Sequence, residues 1–162
     1  MAIRNVVKEG DPILRRVCKE IPEVSPRYRE MLDDMLETMR YYNGVGIAGP
    51  QIGVMRRLFV AEPEPGKVYY MINPKITHTE GEQIDTEGCL SIPGYIGTVT
   101  RPSKIKMTAW DVNGEEHEYT FEGFYARVMC HEYDHLEGRL YTDIAENVHL
   151  PEDDEFEEEF DD

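Results

Sequence analysis

Long apolar runs are missing from this 162-residue chain. No stretch approaches the roughly 18 to 20 residues that a membrane-crossing helix needs, so no membrane role is expected. The opening segment, Met1 to Gly10, carries charges where a signal peptide would need its apolar region, and the expectation is a protein that is not exported. Cysteine is scarce too. Cys18, Cys89 and Cys130 are odd in number and irregularly spaced, which argues against a disulfide framework and suits a reducing cytoplasm. Basic residues are in deficit, with 17 Lys and Arg against 33 Asp and Glu and a net charge of −16. That balance opposes a grip on nucleic acid phosphates, so no direct DNA binding is expected.

The deficit is uneven. Residues 152–162 hold nine carboxylates and no base, and taking those nine from the −16 leaves −7 for the rest. Only Phe156 and Phe160 there could be buried, and the segment repels itself, so 151–162 is expected to be a solvated, disordered tail. Residues 1–150 are expected to form a single domain, since the length suits one hydrophobic core and neither a repeat nor a linker interrupts it.

Residues 12–20 suggest a short helix. Ser25-Pro26 then offers an N-cap and a proline at the first helical position. From there Tyr28, Met31, Leu32, Met35, Leu36, Met39 and Tyr42 recur at helical spacing, with charges on the other side; this Met-rich stripe reads as core packing. After Gly44, Gly46, Gly49 and Pro50 come strand-like segments at 57–62, 67–73 and 76–79. Segments 104–112 and 115–121 read as a hairpin joined by Asn113-Gly114, the pair suited to a type I′ turn. A second helix is expected over 124–136, preceded by Gly123 and stopped by Gly138. Helix, many strands and helix in that order indicate an α+β fold: mostly antiparallel strands packed around a C-terminal helix, with an N-terminal helical segment.

That C-terminal helix carries His131-Glu132-Tyr133-Asp134-His135, the HExxH spacing. Residues four apart lie on one face, so both imidazoles can converge on one metal while Glu132, about 100° round the helix, reaches a water beside it. A catalytic metal needs a third protein ligand. Downstream only His149 remains, and the HExxHxxGxxH continuation is absent for want of its third His. The third ligand is therefore sought upstream, where Cys89 follows a glycine that permits close approach. Cys130 competes but points about 100° away from the His131/His135 face and reads as helix packing, as does Cys18 elsewhere. Two other uses of HExxH stay open: a zinc peptidase, favoured by a His or Glu third ligand, and a non-enzymatic structural metal module with four protein ligands.

The run from Gly44 to Gln51 is no phosphate loop, since it lacks a Lys-Ser/Thr ending and Pro50 removes an N–H. It is either a tight turn feeding a strand or a place where backbone approaches a substrate and Gln51 offers an amide N–H to a developing oxyanion.

Three motifs, Gly44-Val45-Gly46-Ile47-Ala48-Gly49-Pro50-Gln51, Glu87-Gly88-Cys89-Leu90-Ser91 and His131-Glu132-Tyr133-Asp134-His135, resemble in order and spacing those of the peptide deformylase family. The likeness extends from Gly10-Asp11-Pro12-Ile13-Leu14 to about Asp143, and the compact length is similar to the bacterial type 1 form. Gly49 replaces the family's second alanine, a change expected to loosen the loop. The resemblance implies removal of the formyl group from N-formylmethionyl peptides of nascent chains in the cytoplasm, with release of formate. It implies one divalent metal, Fe(2+) in the cell with Zn(2+) or Ni(2+) accepted, held by Cys89, His131 and His135. Glu132 is then the general base, with Gln51 and the backbone N–H of Leu90 stabilising the oxyanion. The substrate backbone lies along the Gly46 region, and Val45, Phe124 and Val128 border the methionine pocket; Phe124 and Val128 also follow from stepping back along the His131 face. A transient encounter with the ribosome is compatible with this role, though not through the acidic terminus.

Overall fold

The computed structural model describes residues 2–151. Residues 152–162, and the expectation of a solvated tail with them, lie outside the described part. In chain order the main elements are α1 (Pro26–Tyr41), β1 (Gly46–Ala48), β2 (Leu58–Glu64), β3 (Lys67–Glu80), β4 (Gln83–Cys89), β5 (Ile92–Arg101), β6 (Lys104–Trp110), β7 (Glu116–Glu122), α2 (Phe124–Leu136) and β8 (Glu146–His149). One sheet runs β1-β2-β3-β6-β7 and the other β4-β5-β8, and every pairing within them is antiparallel. The fold is α+β, as expected.

Helix α1 begins with Pro26, whose missing N–H costs nothing at that position; Ser25 stands at the N-cap, but its side chain makes no capping bond. Leu32, Met35 and Met39 are buried against Ile47, Leu58, Val60 and Ile72, and Met31 is buried too, so the Met-rich stripe is core. Each such side chain contributes about 1.5–3 kcal/mol. The helix stops where Asn43 turns left-handed, at φ 58°. The Asn43 N–H donates to the Arg40 carbonyl at 3.1 Å and the Gly44 N–H to the Met39 carbonyl at 2.9 Å, which closes the last turn and sends the chain into β1.

Three local expectations are corrected. Within 12–20 only Pro12–Arg15 is helical, as a 3-10 turn. Beyond it the Cys18 N–H donates to the Leu136 carbonyl at 2.8 Å and Lys19 bridges Arg56 in parallel, so tertiary partners claim the backbone that a longer helix would use. The segments 67–73 and 76–79 are one strand, β3, with an irregularity between Ile72 and Lys75. There Asn73 adopts φ 48° and its amide clamps both the N–H and the carbonyl of Ile21 at 2.8 Å. The β6/β7 hairpin closes over Asp111 to Glu115 rather than through a two-residue turn: among the residues at positive φ are Gly114 but not Asn113. Asp111 Oδ1 accepts from the Asn113 and Glu115 N–H groups at 2.8 and 3.0 Å, an Asx arrangement that outcompetes the type I′ geometry.

Gly49 also acts against expectation. It opens a 3-10 turn, Gly49–Ile52, and a Cβ there would lie 2.6 Å from the Val54 carbonyl oxygen and 2.9 Å from that of Arg56. Rather than loosening the loop, glycine lets the backbone of 54–56 close upon it, with the Val54 N–H donating to the Gly49 carbonyl at 2.9 Å. Gly49→Ala should therefore cost about 1–3 kcal/mol. Thermal unfolding reads this as a drop of several degrees; an unchanged midpoint would show that this backbone yields freely.

Helix α2 rests its Ala126, Met129, Cys130 and Leu136 on Phe59, Ala61, Met71, Ile105 and Met107 of the larger sheet. A separate cluster of Leu14, Ile92, Val99, Leu140 and Tyr141 lies beside Cys89. The second sheet and this cluster form the other wall around α2's polar residues.

Candidate active site

Helix α2 spans the predicted residues, and Gly138 ends it at φ 74°, with a Cβ excluded there by the Arg15 carbonyl oxygen at 2.5 Å. His131 and His135 therefore sit one turn apart, with ring centroids separated by 5.1 Å. Cys89 is the last residue of β4, and its Sγ lies 3.5 Å from His135 Nε2. One ligand atom from each of Cys89, His131 and His135 falls within 4.8 Å of the others. A tetrahedral ion with bonds of about 2.0–2.3 Å holds its ligand atoms about 3.5 Å apart, so the donor set fits a divalent metal. Two buried polar atoms without a protein partner, Glu132 Oε1 and His135 Nδ1, belong to the same cluster. Half-buried Asp111 and exposed Glu115 and His117 also group closely, but at the hairpin turn and with no buried, unpartnered donor.

The His131 ring is oriented from behind. Its Nδ1 lies 2.7 Å from Glu87 Oε1, leaving Nε2 for the cluster, and Tyr141 stacks on it at 6.0 Å and 25°. Glu87 also accepts from Arg101 at 2.8 and 2.9 Å and from Arg127 at 2.5 Å, while Arg101 reaches Asp134 at 2.6 Å. Burial alone would raise the Glu87 pKa, but the bonds from Arg101 and His131 outweigh it and hold the carboxyl far below its usual range.

Burial disfavours charge on both imidazoles. At His135, with His131 beside it, this pushes the pKa well down and leaves a neutral ring with a lone pair to give. At His131 the nearby Glu132, Cys89 and Glu87 overcome burial and push it up, so the pocket attracts positive charge, for which a proton and a metal ion compete. Burial, opposed by His131 and aided by Glu87, raises the Glu132 carboxyl to about 7, the range of an acid–base group that works near neutrality. The carboxylate lies against Gly46, where any Cβ would collide with Glu132 Oε2.

Gln51 is buried, its Oε1 accepting from the Ala48 N–H at 2.9 Å and its Nε2 directed at Ser91 Oγ (3.0 Å) and Cys89 Sγ (3.5 Å). Val45, Gly46, Gln51, Cys89, Leu90, Phe124, Val128, His131 and Glu132 all line one cavity of about 600 Å³, with His135 buried behind it. Val45 and Phe124 are half exposed at its rim, and Val128 is buried. Cys130 and Cys18 sit in the core, where burial pushes their thiols up to about 12 and 11.

Sequence reasoning did not assign Glu87, Ser91, Arg101, Arg127, Asp134 or Tyr141. Arg127 was readable in part: a charge four residues before His131 on a largely apolar helix face has to find a buried partner. Glu87 invites a test. Glu87→Gln leaves two buried guanidinium groups undercompensated and frees the His131 ring, so we expect about 3–5 kcal/mol of lost stability and 10–100-fold weaker metal binding. With the folded pKa below the usual 4.5, the ion pairs' contribution is complete above pH 4.5 and is lost only as pH falls further. Unfolding midpoints and a chelator competition check both effects, and a variant matching the parent in each would reduce Glu87 to a bystander.

Residues 3–150 match the family model of polypeptide deformylase. The chain is 47% identical over 148 residues to a peptide deformylase of Agathobacter rectalis, covering 91% of this chain and 93% of that one. A solved peptide deformylase from Thermotoga maritima is similar with a TM-score of 0.88 and 34% identity, over 90% of this chain and 99% of that one. Another, from Synechococcus elongatus in complex with actinonin, gives 0.86 and 36% over 89% and 79%.

Proposed function

We propose a role for each site residue from one premise: this chain belongs to the polypeptide deformylase family, and it is a metal-dependent hydrolase that removes the N-formyl group from newly made proteins. Cys89, His131 and His135 hold a divalent ion, which when bound supplies Lewis acidity toward water and the formyl carbonyl. Glu132 takes a proton from the attacking water and passes it to the methionine amine as the C–N bond breaks. The Gln51 side-chain amide and the Leu90 N–H donate to the oxygen that gains negative charge. Gly46 accommodates the substrate backbone, while Val45, Phe124 and Val128 border the methionine side chain.

The observation that carries this reading is the convergence of three ligand atoms within 4.8 Å beside a buried, unpartnered Glu132 oxygen. A sulfur ligand with a nearby Gln51 amide favours deformylation over peptide cleavage. Fe(2+) is the ion in the cell, with Zn(2+) and Ni(2+) able to take its place, since Cys and His donors suit all three. Among the described residues no helix is long and apolar enough to cross a membrane. The free cysteines and the nascent-chain substrate together point to the cytoplasm. Residues 1–150 act as one catalytic domain, and a passing encounter with the ribosome uses a face other than the acidic terminus.

The test is formate release from formyl-Met-Ala-Ser by protein prepared without oxygen and loaded in turn with iron, nickel and zinc. Formate should appear, fastest with iron, and actinonin should block it. Absence of formate with every metal would overturn the reading.

A further inference from the structure

Ser91 does not line the catalytic cavity, yet it holds Gln51, the side chain proposed to meet the developing charge. Its hydroxyl is buried and accepts from Gln51 Nε2 at 3.0 Å. The other end of the Gln51 amide is fixed by the Ala48 N–H, which donates to Oε1 at 2.9 Å. Only the amide oxygen can accept there, so the nitrogen has to face Ser91. With one Nε2 hydrogen given to the Ser91 hydroxyl, the planar amide leaves the second aimed along the edge of the Cys89, His131 and His135 group, where Cys89 Sγ lies 3.5 Å away. Two bonds thus set both the identity and the direction of the remaining N–H. The separation of the two residues is controlled as well. They stand 40 positions apart, and one short stretch near the N-terminus ties them together. The Val7 N–H donates to the Gln51 carbonyl at 2.7 Å and the Glu9 N–H to the Ser91 carbonyl at 2.8 Å.

Resting on the deformylase reading above, we infer that Ser91 is a positioning residue. Its hydroxyl, together with the Ala48 N–H, locks the Gln51 amide so that the remaining N–H meets the formyl oxygen as negative charge gathers there. An apolar residue at 91 leaves that amide a single anchor, and it swings out of line. Removing an oxyanion donor altogether costs about 10²–10³-fold in rate. A donor kept but loosened should cost about ten-fold. The loss belongs in kcat, because substrate affinity comes from cavity contacts that Ser91 does not make.

The experiment measures formate release from formyl-Met-Ala-Ser by the parent, Ser91→Ala, Gln51→Leu and the two changes combined, each as the full chain loaded with the same metal. Ser91→Ala should lower kcat about ten-fold with KM within about two-fold of the parent. In the Gln51→Leu background the same change should cost nothing further, because the group through which it acts is gone. A second readout needs no turnover. In the zinc-loaded protein, one of the two Gln51 side-chain amide protons, identified by their loss in Gln51→Leu, should exchange with water about ten-fold more slowly than the other, and Ser91→Ala should erase that difference. If Ser91→Ala does not fold, the parent's amide pair decides alone: two protons exchanging at one rate overturn the proposal. A kcat in Ser91→Ala within about two-fold of the parent overturns it too, and so does an equal loss whether or not Gln51 is present, which would make Ser91 a structural residue only. Absence of formate release by the parent with every metal would instead sink the deformylase reading, and the proposal with it.

Discussion

Glu132→Gln should keep its fold and its metal and lose turnover by about 10²–10⁴-fold. The amide has nearly the carboxylate's size, so it still fits against Gly46, where no side-chain atom could share the space. Glu132 contributes no atom to the Cys89, His131 and His135 group, so metal content should stay near one per chain. What disappears is the capacity to take up and return a proton, in a group that burial has raised to about 7. Formate release, metal analysis and an unfolding midpoint on the same preparation separate these effects. A rate within ten-fold of the parent would remove Glu132 as the proton acceptor.

Cys89→Ala should abolish tight metal binding, and with it activity, because two imidazoles cannot replace a third, anionic ligand. The contrast with the other cysteines sharpens the test. Cys18 and Cys130 are packed in the hydrophobic core with thiols raised to about 11 and 12, so Cys18→Ala and Cys130→Ala should retain stoichiometric metal at some cost in stability. Metal analysis after dialysis gives the answer directly. Stoichiometric metal in the Cys89 variant would move the third ligand elsewhere.

The parts of this molecule that were legible in its sequence are those governed by short-range rules. Helix α2 runs over 124–136 because Gly123 and Gly138 bracket a helical pattern, and the i, i+4 histidines follow from its geometry alone. Cys89 could be singled out by elimination, yet only folding brings it to 3.5 Å from His135, across 46 positions of chain. Strands β4 and β5 escaped notice because Gln83 to Cys89 mixes carboxylates and glycine with few apolar residues. Their order comes from pairing with each other and from the buried charges they enclose. The hairpin turn was misjudged for a related reason: the Asp111 side chain satisfies backbone donors that the Asn-Gly pair alone would have left to a tighter turn. Glu87 is the largest omission. It opens the Glu87–Ser91 motif, yet nothing local gives it a role, which arises only when Arg101 arrives from β5 and Arg127 and His131 from α2.

That convergence restricts how the protein can vary over generations. One carboxylate answers two guanidinium groups and an imidazole inside the fold, so replacing Glu87 takes the shared counter-charge from the other three, and replacing any of those breaks a buried bond to it. Swaps between Glu87 and Arg101 would have to occur together, passing through intermediates that are each less fit than either end. Lineages descending from such a sequence should therefore inherit the quartet as a block, while the exposed acids of the β6/β7 hairpin drift freely. Deep mutational scanning would display this as four positions that tolerate almost no single change, and whose tolerated double changes are confined to one another.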